Sequence, residues 1–144
     1  MAIPVAGKVL LDTSVFIDHL RRGLHADWVF GRVGSTIRFL SSVVLMELRL
    51  GADTLPRRRA VDRIKAAFPA GRLIAPAPDL FDHAAALFRD LYGHPSGTVD
   101  RLGPINDLLI ALTAWRIGAT VVTRDVSDFR RIQRWLSGLA VTEP

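Results

Sequence analysis

The stretch Lys8-Val9-Leu10-Leu11-Asp12-Thr13-Ser14-Val15-Phe16-Ile17-Asp18 holds two hydrophobic patterns back to back. Val9 to Leu11 is continuously apolar and too short for a helix, which is the pattern of a strand buried on both faces. After three polar residues come Val15, Phe16, Ile17 and Leu20, with Gly23 as a stop, so a helix is expected over 14–22. A buried strand running straight into a helix is the first half of a βαβ unit.

The same pairing recurs along the chain. Further strands are expected at 37–40, 73–75 and 120–123, with a short last one at 139–141. Between them, helices are expected at 26–32, from a Ser41 or Ser42 cap to about 50, at 57–68 behind Pro56, from an Asp79 cap to about 92, at 105–117 behind Pro104, and at 127–135. Residues 93–103, rich in Gly and containing His94-Pro95, are expected to form the clearest long loop. The alternation implies an α/β fold: a central parallel sheet of about four to five short strands, covered on both faces by helices, in one domain spanning 1–144. In such sheets ligands collect outside the carboxyl ends of the strands.

Composition narrows the function. With 144 residues, nearly half of them hydrophobic, the chain can bury a real core. No apolar run approaches a membrane span, and the start Met1-Ala2-Ile3-Pro4-Val5 lacks the features of a signal peptide, so a cytoplasmic location is expected. The absence of Cys excludes disulfides, thiolate zinc sites and thiol nucleophiles. The net charge is +5, and all but two of the 19 basic residues are Arg. Arg suits phosphate recognition, although a codon bias toward Arg gives the same excess.

Four acids stand against apolar sequence: Asp12 after Val9-Leu10-Leu11, Glu47 within Val43-Val44-Leu45-Met46 and Leu48, Asp107 ahead of Leu108-Leu109-Ile110, and Asp125 just beyond Val121-Val122-Thr123. Buried carboxylates are costly unless something offsets their charge. One shared cation would serve all four, and hard oxygen donors without Cys suit Mg²⁺ or Mn²⁺. Taken singly, Asp12 and Asp125 also read as helix caps, and Asn106 and Asp107 as first-turn residues on a helix dipole. Glu47, inside an apolar helix, has no such alternative unless an Arg is buried beside it. The four His residues show no paired-ligand spacing.

Four segments carry a resemblance. Leu10-Leu11-Asp12-Thr13-Ser14-Val15-Phe16-Ile17-Asp18, Val43-Val44-Leu45-Met46-Glu47-Leu48-Arg49-Leu50-Gly51, Ile105-Asn106-Asp107-Leu108-Leu109-Ile110-Ala111 and Val122-Thr123-Arg124-Asp125-Val126-Ser127-Asp128-Phe129 resemble, in order, the four motifs of PIN-domain nucleases. The compact form looks most like the VapC-type toxin of VapBC toxin–antitoxin pairs. The resemblance implies a PIN-like three-layer α/β/α fold and Mg²⁺- or Mn²⁺-dependent endoribonuclease activity on structured RNA such as tRNA or rRNA. It also implies a homodimer and a cognate VapB-type antitoxin that covers the site. By position it makes Asp12 and Asp107 the principal metal ligands, Glu47 and Asp125 the completing catalytic acids, and Ser14, Asn106 and Thr123 their supporting partners. The family often has Asn where Asp125 stands.

Two basic groups could hold phosphates: Arg124, Arg130, Arg131 and Arg134 beside the fourth motif, and Arg57, Arg58, Arg59, Arg63 and Lys65 on one helix. A solvated helix face is the alternative for each. Trp28, Tyr92, Trp115 and Trp135 could stack on bases or pack in a core. Rival functions are a PIN nuclease of RNA processing, a nuclease-fold subunit paired with a DNA-binding partner, and a non-catalytic basic nucleic-acid-binding module.

Overall fold

The computed structural model describes residues 7–93 and 101–144. Five strands, β1 (Gly7–Leu11), β2 (Thr36–Ser41), β3 (Leu73–Ile74), β4 (Thr120–Val122) and β5 (Ala140–Thr142), form one sheet in the order β3-β2-β1-β4-β5. Every neighbouring pair is parallel; Leu10 of β1 lies opposite Phe39 on one side and Val121 on the other. Helices cover both faces, giving the three-layer α/β/α architecture. They are α1 (Thr13–Arg22), α2 (Ala26–Val29), α3 (Ser42–Gly51), α4 (Leu55–Ala66), α5 (Pro78–Tyr92), α6 (Leu102–Ile117) and α7 (Val126–Gln133).

The chain builds the sheet outward from β1 through β2 to β3, then returns to the other side of β1 to lay down β4 and β5. The direction of winding reverses between β1 and β4. Right-handed crossovers then put the helices before the reversal on one face and those after it on the other, and the crevice outside the carboxyl ends of β1 and β4 becomes the natural ligand position. The core centres on this middle pair: Val9, Leu10, Leu11, Val121 and Val122 are fully buried. Helix α6 is buried continuously from Leu108 to Ala114, as expected of a helix apolar on all sides. No helix among the described residues is long and apolar enough to cross a membrane.

Several boundaries differ from the sequence expectation for local reasons. Helix α6 starts at Leu102, three residues early, because Pro104 sits in its first turn, where a missing N–H leaves nothing unpaired. Asn106 and Asp107 therefore lie past the first turn, and the helix-dipole explanation for them fails. Helix α5 starts at Pro78 with Ala77 at the cap position; Asp79 falls inside the first turn and pairs instead with Arg116. Thr54 caps α4, accepting from the Arg57 N–H, so that helix begins at Leu55. Helix α2 ends at Val29 rather than 32, and α7 runs from Val126 to Gln133 rather than over 127–135. Ser41 caps α3, accepting from the Val43 N–H. Of the long loop expected at 93–103, residues 94–100 lie outside the described residues, while Leu102 and Gly103 are helical.

Leu10 has no exposed surface at the sheet centre. Leu10→Ala is expected to cost about 2–5 kcal/mol in urea unfolding, whereas Leu50→Ala, at an exposed site on α3, should stay within about 0.5 kcal/mol. Equal effects at the two positions would contradict this placement of the core.

Candidate active site

Asp12 follows β1 directly and is 3% exposed. Its backbone N–H still bonds the sheet, donating to Val122 O at 2.9 Å. It occupies the cap position of α1, yet its side chain makes no capping hydrogen bond. Instead, Oδ2 accepts two hydroxyls, Ser14 Oγ and Thr123 Oγ1, each at 2.9 Å. Those hydroxyl oxygens in turn accept backbone N–H groups from the β4–α7 connection: Arg124 N to Ser14 Oγ at 3.1 Å, and Asp125 N to Thr123 Oγ1 at 2.9 Å. The ends of β1 and β4 are thus stitched together through one carboxylate oxygen.

Glu47, on α3, is half-buried and accepts from Thr13 Oγ1 at 2.6 Å. That hydroxyl, not a buried Arg, is its partner. Thr13 therefore fixes the second acid as Ser14 and Thr123 fix the first, and single-sequence reasoning had passed it over. Its position beside Asp12 in the Asp-Thr-Ser run was the available signal.

Asp107 gathers the rest. Burial pushes its carboxyl up from the ordinary 3.8 to about 8, and the charges of Asp12, Glu47, Asp128 and Asp125 push in the same direction. The charges of the other three acids foreseen from sequence therefore all reach Asp107, from the caps of α1 and α7 and from α3. Asp128 is a fifth member that sequence reasoning did not single out. It lies three residues after Asp125 in the first turn of α7, a spacing that puts both on one side of the helix. Asp12 is also raised, by burial, against the opposing hydrogen bonds of Ser14 and Thr123 and the backbone amides of Thr13 and Ser14. Asp125 stands at the cap position of α7 but makes no capping bond. Asn106 is buried next to Asp107 and makes no side-chain hydrogen bond to any of the acids.

A divalent cation fits this donor set. Every donor is a hard carboxylate or hydroxyl oxygen, and the mutual repulsion that raises Asp107 is what a cation would relieve. Among the described residues no three acidic or His side chains form a ready-made cage. An open arrangement suits an ion that keeps several waters and takes only one or two protein carboxylates.

The arginines beside the site divide. Arg124 turns inward, with Nη1 at 2.7 Å from Asp18. Arg131 donates to Leu91 O at 2.9 Å and lies over the Tyr92 ring. Arg130 and Arg134 are exposed and carry no ion pair among the described residues. On α4, Arg57 pairs with Asp53, and Arg58 reaches Ala52 O. Trp28 and Trp115 are partly buried against the core, and Trp115 Nε1 donates to Ser137 O; Trp135 is half exposed. A groove of about 280 Å³ between α1, α3 and α4 runs up to Glu47, lined by Ile17, Leu20, Leu48, Pro56 and Val61 with Arg21 at its edge.

The family profile of the PIN domain matches residues 9–134. The chain also superposes on solved structures. One is VapBC2 from Rickettsia felis bound to a DNA fragment from its promoter, with TM-score 0.67 and 18% identity over 95% of this chain and 98% of that one. Another is FitAB bound to IR36 DNA, with TM-score 0.64 and 25% identity over 94% of each chain. A third is VapBC-1 from nontypeable Haemophilus influenzae, with TM-score 0.63 and 20% identity over 94% of this chain and 97% of that one. No curated protein matches the chain.

The raised Asp107 carboxyl has a stability consequence. Between about pH 4 and pH 8 the folded chain holds a proton there that the unfolded chain has released. Stability without metal should therefore fall as pH rises through that window and level off above it. The raised Asp12 adds to the same slope, while the lowered pKa values of exposed Asp53 and Asp79 act only below about pH 4. Asp107→Asn should raise the Tm of the metal-free protein at pH 8 by about 5 °C and flatten its pH dependence. A wild-type Tm independent of pH from 5 to about 8 would refute the electrostatic picture.

Proposed function

The chain belongs to the PIN-domain family, whose members are generally nucleases, and from that premise we propose that it is a Mg²⁺- or Mn²⁺-dependent endoribonuclease. On this reading it hydrolyses phosphodiester bonds in structured RNA as the toxin of a type II toxin–antitoxin pair. The observation that supports the proposal is that the charges of Asp12, Glu47 and Asp125 all act on Asp107, with Asp12 directly after β1 and Asp125 just beyond β4.

Asp12 and Asp107 would hold the ion, with Glu47 and Asp125 completing the set. Bound there, a divalent ion supplies Lewis acidity toward water and offsets charge on phosphoryl oxygens. Thr13 holds one oxygen of Glu47, leaving the other to orient a water for attack on phosphorus. As the new P–O bond forms, the ester P–O bond breaks and the departing oxygen takes up a proton. Ser14 and Thr123 keep Asp12 in one rotamer, so no reorganisation is needed during the step. Exposed Arg130 and Arg134 are the arginines best placed to meet substrate phosphates.

The toxin reading draws on the VapBC and FitAB complexes that share this fold. It gives the groove between α1, α3 and α4 a role: an antitoxin segment with an apolar face, laid there, would cover Glu47. Exposed Phe81 and Leu102, on α5 and α6, offer apolar surface for a homodimer. Such a toxin would act in the cytoplasm, where its RNA lies.

Purified protein incubated with total RNA and Mg²⁺ or Mn²⁺ should give discrete cuts that vanish with chelator. Asp12→Ala and Asp107→Asn should each reduce cleavage by about 100-fold or more. No cleavage under any metal condition, together with no divalent-ion binding, would leave a basic nucleic-acid-binding module as the better reading.

A further inference from the structure

Asp18 lies one helical turn beyond Ser14 on α1, so the two share a face. It is 5% exposed, a carboxylate that burial would penalise heavily without partners. Its partners come from two other segments. Oδ2 meets His25 Nε2 at 3.2 Å. His25 is the only non-Gly residue with positive φ among the described residues (φ 59), at the cap position of α2. Oδ1 meets Arg124 Nη1 at 2.7 Å.

Arg124 is thereby held twice by the same face of α1: its backbone N–H donates to Ser14 Oγ, and its guanidinium to Asp18. Its neighbours in sequence are both site residues. Thr123 donates to Asp12, and Asp125 stands 3.8 Å from Arg124 Nε, oxygen to nitrogen. A two-point hold on the middle residue of Thr123-Arg124-Asp125 fixes the path of the whole connection.

We propose that Asp18 and Arg124 form a clamp that positions Asp125 and Thr123 in the acidic site, Arg124 being a positioning residue and not a phosphate contact. The inference rests on the metal-dependent reading of the site and revises the expectation that Arg124 binds RNA alongside Arg130, Arg131 and Arg134. With Nη1 engaged by Asp18 and Nε 3.8 Å from Asp125, Arg124 has its charge compensated on the side facing the site.

The test is Mn²⁺ binding, followed by calorimetry, with RNA binding measured across salt concentrations in parallel, on wild type, Asp18→Asn, Arg124→Gln and the double variant. Each single substitution should weaken Mn²⁺ by about 10-fold, and the double variant no further, because both remove one contact. The salt dependence of RNA binding should be unchanged. Arg124 is half exposed, so Arg124→Gln tests the clamp even where the buried Asp18→Asn is not tolerated. Unchanged Mn²⁺ affinity in Arg124→Gln, or a loss of about one unit of salt slope in that variant, would overturn the clamp and return Arg124 to the phosphate-binding group. Absence of Mn²⁺ binding by wild type would overturn the metal-dependent reading itself, and the clamp with it.

Discussion

Asp12 Oδ2 is the atom through which the two central strands are joined at the site. It accepts hydroxyls from Ser14, on the helix that follows β1, and from Thr123, at the end of β4. Both hydroxyls pass the connection on to backbone N–H groups of the next two residues. A carboxylate so deeply buried persists only where hydrogen bonds replace lost water. Here they also hold Oδ2 in place between the ends of β1 and β4. The winding reversal between β1 and β4 makes this possible, because it leaves a crevice where no connection crosses the strand ends.

The same burial that organises the site also strains it electrostatically. Asp107 projects from α6, the most enclosed helix, into the field of four other carboxylates. Evolutionarily neutral packing would replace such a group with an apolar one at a gain in stability. Keeping five acids together is a cost in stability without a cation and becomes favourable with one. The structure therefore resembles other sites in which strain is localised where chemistry is done.

Much of this was legible before folding. Continuous apolar runs such as Val9-Leu10-Leu11, too short for helices, led to a parallel sheet, and five strands in that arrangement are present. The acids stood out because each interrupts, ends or heads an apolar run, or stands just beyond one. Helix starts were less legible: the helices that carry Pro78 and Pro104 in their first turns begin earlier than the apolar pattern suggests, because proline is tolerated there for reasons periodicity does not record. Contacts between distant side chains were least legible. Thr13 serving Glu47, Asp128 joining the acids and Arg124 turning inward to Asp18 are all decided by how α1, α3, α6 and α7 meet. The Arg-rich stretch after β4 looked uniform in sequence, yet Arg124 and Arg131 are engaged while Arg130 and Arg134 carry no ion pair among the described residues.

The central claim is that the four segments converge in order to share a divalent ion. The most direct measurement is anomalous scattering at the manganese edge from crystals grown with Mn²⁺. The expected result is a peak within ligand distance of Asp12 Oδ1 and the Asp107 carboxylate, on the side facing Glu47 and Asp125. A structure in which Mn²⁺ is absent from that crevice, with Asp12 and Asp107 bonded to each other through a shared proton, would contradict it.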